Sequence, residues 1–127
     1  MLYTRDAQGT VDQVCERLEE AVTRNHFGVL GMHNLKEKMA SKGVEFGPEC
    51  RVFEVCNPVQ AKKVLEANMA IANALPCRIC VYEERGAVRV STIRPTAILG
   101  LFGDAQLQEV AYEVETTLER IIDEACE

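Results

Sequence analysis

Several features that would assign a function quickly are missing from this 127-residue chain. It has no GxGxxG, Walker loop, HExxH or GxSxG, so nucleotide binding and the common hydrolase chemistries have no motif behind them. No apolar stretch approaches the roughly 18 residues that span a bilayer. The opening Met1-Leu2-Tyr3-Thr4-Arg5-Asp6 lacks the apolar run of a secretory signal. Nor is there an excess of positive charge: 14 Lys and Arg stand against 20 Asp and Glu, a net charge of −6. Nucleic acids and anionic membranes reward clustered cations, so neither is expected as a partner. Without repeats, low-complexity tracts or a Pro/Gly/Ser linker, residues 1–127 read as one domain.

What is present is an ordinary globular composition, 47% hydrophobic and 27% charged. A domain of this size buries roughly two-thirds of its unfolded surface and folds without staples or metal. Its acidity is local. Residues 104–127 hold eight carboxylates against Arg120 alone, leaving the remainder nearly neutral, and this segment reads as a helix with a solvated acidic face. The six cysteines fall below the density of a disulfide scaffold. With no leader in view they are expected in the reducing cytoplasm, as structural, metal-binding or redox-active thiols.

Met1 to Arg5 suits an edge strand. Thr10-Val11-Asp12-Gln13 is a capping box that opens a helix, with Val11, Val14, Cys15, Leu18 and Val22 on one face. Phe27 to His33 is a strand candidate, and Asn34 caps a short helix that ends by Gly43. Arg51 to Cys56 reads as another strand. Asn57-Pro58 then supplies a capping side chain and a φ-locked first helical residue, for a helix running to about Asn68. Arg78 to Glu84, the turn Arg85-Gly86 and the alternating Val88 to Ile93 form the clearest hairpin, ended by Pro95. The apolar Thr96 to Gly103 reads as a connecting loop that needs covering, and Asp104 caps the final helix. The elements predict an α+β two-layer sandwich: a mainly antiparallel sheet of 4–5 strands packed by two longer helices, with short helical insertions.

Gly43-Val44-Glu45-Phe46, Val55-Cys56-Asn57-Pro58 and Leu75-Pro76-Cys77-Arg78-Ile79 resemble the bacterial and archaeal domain-of-unknown-function family 302. Phe27-Gly28-Val29-Leu30 and Val88-Arg89-Val90-Ser91 with Pro95 fit the same pattern, and the likeness covers about residues 10–100. Val55 and Asn34 depart from it. The resemblance implies a compact, TATA-binding-protein-like two-layer domain and a homodimer. It implies no DNA binding and brings no settled activity.

The cysteines carry the functional question. Cys77 and Cys80 form a CxxC, but in a strand their side chains alternate faces, which is unsuited to joint chelation. Cys56 ends one strand and Cys77 begins the next. A parallel crossover would set them at opposite ends, but Met69 to Leu75 is long enough to carry the chain back, which favours antiparallel pairing and brings them together. The helix start at Pro58 is expected to favour a Cys56 thiolate. Cys56, Asn57 and Cys77 are therefore the candidate ligand or thiol site, with Cys56 and Cys77 as potential metal ligands. Cys15 reads as core, Cys126 as a frayed tail residue, and Cys50 and Cys80 are unassigned. His33 is placed near Cys50 if their strands pair, and Glu54 on the open face. Three functions stay open: a domain binding a small molecule, metal ion or reactive sulfur species around Cys56 and Cys77; a thiol-dependent redox enzyme using Cys56; and a structural or interaction module with core cysteines.

Overall fold

A computed structural model describes all 127 residues. Strands β1 (Leu2–Ala7), β2 (Gly28–Asn34), β3 (Cys50–Cys56), β4 (Cys77–Glu84) and β5 (Ala87–Ile93) form one antiparallel sheet in the order β1-β5-β4-β3-β2. Helices α1 (Val11–Arg24) and α5 (Ala105–Cys126) cover one face of it. Shorter helices α2 (Leu35–Ser41), α3 (Pro58–Ala67) and α4 (Pro95–Leu99) sit between strands or before α5, with a 3-10 helix at Met69–Ala74. This is the expected α+β sandwich. No helix is long and apolar enough to cross a membrane.

Local chemistry explains most element ends. Thr10 Oγ1 accepts from the Gln13 N–H while the Gln13 side chain accepts from the Thr10 N–H, so two otherwise unpaired donors are satisfied reciprocally. Asn34, Asn57 and Asp104 cap α2, α3 and α5 with side-chain oxygens. Between β4 and β5 both turn residues take positive φ, 53° at Arg85 and 79° at Gly86. That is the two-residue geometry whose twist matches paired strands, and Gly86 adopts it without a Cβ penalty.

Strand alternation sorts the sheet into two faces. Phe53, Val55, Ile79, Val81 and Val90 point under the helices and are buried against Leu18, Val22, Leu118 and Ile122. A second, smaller core forms beside the first, where Val64, Ile71 and Leu99 meet Leu107 and Ala111. Helix α5 serves both. At about 1.5 Å per residue its 22 residues extend about 33 Å. Its first turns pack on the small core and its later turns on the sheet.

Two expectations change here. The segment after Pro95 is no loop: α4 and a 3-10 turn at Gly100–Phe102 occupy it. Proline both ends β5 and opens α4 as its first residue. Leu99 is buried, whereas Leu101 is 85% exposed. The carboxylates of α5 are also not simply a solvated face. Asp123 accepts from the Tyr3 hydroxyl at 2.5 Å and pairs with Arg5 at 2.7 Å; Glu124 accepts from Arg24 and Asn25. Glu115, 8% exposed, accepts from the Thr96 backbone N–H at 3.2 Å and hydroxyl at 2.7 Å. It thereby caps α4 from a neighbouring helix, where Arg94 makes no side-chain cap. Arg17 donates to the carbonyl of Ala125, tying the end of α5 to α1.

Glu115→Ala is expected to destabilise the fold by about 1.5–3 kcal/mol, the range for hydrogen bonds to charged groups. Glu113→Ala, on the exposed side of the same helix, is expected to stay within about 0.5 kcal/mol of wild type. Urea denaturation of both variants checks this; equal midpoints would remove Glu115 from its capping role.

Candidate functional site

The paired ends of β3 and β4 place the two proposed thiols. The strands run antiparallel with Val55 opposite Cys77, so Cys56 lies one residue beyond that pair. Cys56, Asn57 and Cys77 all line a small cavity of about 40 Å³ between Phe27, Val64 and Val114. Asn57 acts first as a cap: its Oδ1 accepts from the N–H groups of Val59 at 3.0 Å and Gln60 at 3.2 Å. Its amide also donates to the His26 carbonyl at 3.5 Å, joining the start of α3 to the turn before β2. Gln60 Oε1, in the same wall, is buried with no donor, an acceptor left open to a small hydrogen-bond donor.

A larger cavity of about 180 Å³ adjoins it, and Leu75, Cys77 and Leu99 contribute to both walls. This position follows from the packing. Cys77 packs against the sheet core, while Leu75 packs against the small core. The smaller cavity lies where the two cores meet, whereas the larger one extends onto the sheet face that α1 and α5 leave uncovered. The larger one is bounded by Leu2 and Ile93 from the last two strands of the sheet and by Pro95 and Ile98 from α4. Sequence reading reached Cys77 but missed this cavity. It depends on β1 lying beside β5, with Leu2 opposite Ile93, a long-range pairing that no local pattern announces.

The environment of each thiol disfavours its thiolate form. Burial raises the pKa of each of the six cysteines. Cys77 is pushed up to about 11, burial being the main cause and the neighbouring Cys56 thiol adding to it. The expected Cys56 thiolate is therefore corrected. Pro58 has no N–H, Asn57 already occupies the next two helix donors, and burial raises the Cys56 thiol instead. The metal reading also loses ground, because nowhere do three His, Cys, Asp or Glu side chains converge, and zinc takes three or four protein ligands. All six cysteines are free.

The remaining residues resolve as follows. Cys77 and Cys80 fall on opposite sheet faces, with Cys77 against the core and Cys80 in the row that also holds Arg78 and Tyr82. Cys80 has Cys50 as a diagonal neighbour on the adjacent β3, close enough to raise its pKa further, a second thiol pair that the chain order did not reveal. Cys126 is buried rather than frayed. His33 does not serve Cys50. Its Nδ1 accepts from Lys38 at 2.7 Å, so Nε2 carries the proton it donates to Glu54 at 2.5 Å.

Only the thiolate reacts with an alkylating agent. A thiol at about pKa 11 should therefore label about 100-fold more slowly at pH 8 than one at the ordinary value of 9.0. Iodoacetamide labelling of folded protein, read by peptide mass spectrometry, is expected to leave Cys77 and Cys126 the slow sites, their rates rising tenfold per pH unit. Labelling of Cys77 at the rate of a free thiol would contradict the burial described.

Comparison with known proteins bears on the whole fold. The family model described as "Domain of unknown function DUF302" matches residues 3–125. A crystal structure of an uncharacterized conserved DUF302 protein from Bacillus stearothermophilus is similar at 35% identity. It covers 99% of this chain and 98% of that one with a TM-score of 0.94. No curated protein matches the chain. The match along nearly the full length makes this chain a member of the DUF302 family.

Proposed function

We propose that this domain is a small-molecule binding module whose ligand enters the larger cavity at the seam between the two cores and rests against Cys77. The observation that carries this reading is an apolar cavity of about 180 Å³ in a domain of only 127 residues. The cavity is open to solvent on one side, where Leu2 and Ile93 of its wall are exposed. An apolar cavity of about 150 Å³ accepts benzene, so the space here has room for an apolar body of that size.

Cys56, Asn57 and Cys77 frame the smaller annex behind it. Its one open acceptor, Gln60 Oε1, suits a hydroxyl or another small donor reaching past Cys77. Binding is favoured over thiol-dependent catalysis because a nucleophilic cysteine needs a depressed pKa and an adjacent base. Every thiol here is raised, and neither Cys56 nor Cys77 makes a hydrogen bond to a base. Protonated thiols instead act as neutral, polarizable wall atoms. The cytoplasm belongs to the same proposal, since its reducing poise suits six free cysteines.

Benzyl alcohol is a suitable probe, with an apolar ring and one hydroxyl. Titrated into labelled protein and followed by amide NMR shifts, it is expected to saturate with a Kd on the order of 1 mM, ordinary for so few atoms. The shifts should concentrate at Leu75, Cys77, Ile93 and Ile98. Ile98→Trp, which fills the cavity, should abolish them while leaving the amide spectrum folded. Unsaturable shifts, or shifts unchanged in the filled variant, would overturn the reading.

A further inference from the structure

The wall of the larger cavity carries a bias in charge. The protein has a net charge of −6, yet no Asp or Glu lines this cavity, and its one charged residue is a cation, Arg78. Arg78 lies on the sheet face not covered by α1 and α5, in the row of β4 that holds Cys80, with Cys80 opposite Ser91. Leu2 and Ile93, opposite each other on β1 and β5, share that face and the same cavity wall. The Arg78 guanidinium makes no ion pair and no hydrogen bond, in contrast to Arg5, Arg51 and Arg89, each held by carboxylates. Its backbone, meanwhile, is fixed by the Thr92 hydroxyl, which donates to the Arg78 carbonyl at 2.7 Å.

Two further observations locate the charge. The Arg78 guanidinium lowers the Cys80 pKa against the stronger effect of burial, so the cation lies near a thiol that itself lines the cavity. Glu54 is the one carboxylate opposite Arg78 in the β3–β4 register, and its Oε1 is taken by His33 at 2.5 Å rather than by Arg78. The result is a largely apolar cavity with no anion in its wall, to which an exposed arginine with an unpaired guanidinium contributes. Guanidinium groups bind carboxylates through two parallel hydrogen bonds, and charge-assisted bonds of this kind are about twice as strong as neutral ones.

We propose that the ligand of this cavity is a small monocarboxylate with a benzene-sized apolar body, its carboxylate received by Arg78 and its body lodged between Leu75, Ile93, Ile98 and Leu99. The inference rests on the cavity reading above and adds the chemical class of the ligand. Because Arg78 is exposed, the contact weakens as salt rises, whereas the apolar contacts do not.

Benzoate and benzyl alcohol share a ring and differ in charge, so titrating both into the full chain at low salt separates the two readings. Benzoate is expected to bind about tenfold more tightly. Arg78→Gln should remove that advantage while leaving benzyl alcohol affinity within about twofold, and Arg78→Lys should keep part of it. Raising the salt should weaken benzoate alone. If both probes bind equally, the cavity reading stands and the carboxylate inference is overturned. A benzoate preference that survives Arg78→Gln would overturn the assignment to Arg78, and binding of neither probe would remove both readings.

Discussion

The single helix α5 has to satisfy two hydrophobic cores with one continuous stripe. Leu107 and Ala111 belong to the small core with Val64, Ile71 and Leu99. Val114, Leu118, Ile121, Ile122 and Ala125 belong to the sheet core. Val110 packs against both. Because apolar burial drives folding roughly in proportion to the area removed from water, α5 is held in place along its whole length. The smaller cavity beside Cys77 lies between the two cores, the larger one continues from it to the uncovered sheet face, and the neighbouring α4 is fixed there by Glu115 reaching across from α5.

The same arrangement accounts for the character of the site. A cleft opened between two apolar cores inherits apolar walls and buried thiols, and burial is what raises each cysteine pKa. Polar side chains in the walls are few, with Ser91 and Thr92 buried in the larger one. Arg78 adds the one charged side chain of the larger cavity, while Asn57 and Gln60, at the start of α3, line the annex. Chambers with apolar walls and few polar groups at the edge recognise ligands by shape and one or two directed contacts. The nearly neutral body of the chain fits this, since the excess negative charge lies on α5 and much of it is spent on intramolecular contacts with Tyr3, Arg5, Arg24 and Thr96.

Much of the fold was legible from local rules. Capping residues at Thr10, Asn34, Asn57 and Asp104 each mark a helix start, and Arg85-Gly86 marks the hairpin. Antiparallel pairing of β3 with β4 also followed from the insertion between them, which is why Cys56 and Cys77 emerge beside one cavity. What failed depended on contacts between distant segments. Pro95 was legible as the end of a strand but not as the start of α4, because the side chain completing that helix comes from Glu115. The α5 carboxylates looked solvated because their partners lie about 20 to 120 residues away in the chain. The Cys56 thiolate was inferred from a helix start taken alone, whereas the folded chain fills that start with Asn57 and buries the sulfur. Arg78 carried no signal, since neither its lack of an ion pair nor its place in a cavity wall exists before β1 joins β5.

Xenon is an apolar probe that enters dry cavities without needing a hydrogen bond. A crystal of this protein pressurised with xenon therefore tests most directly whether the seam between the two cores is an open apolar chamber. Xenon bound beside Cys77, between Leu75, Ile98 and Leu99, is the result expected. A seam that excludes xenon and holds either packed side chains or a chain of hydrogen-bonded waters would contradict it.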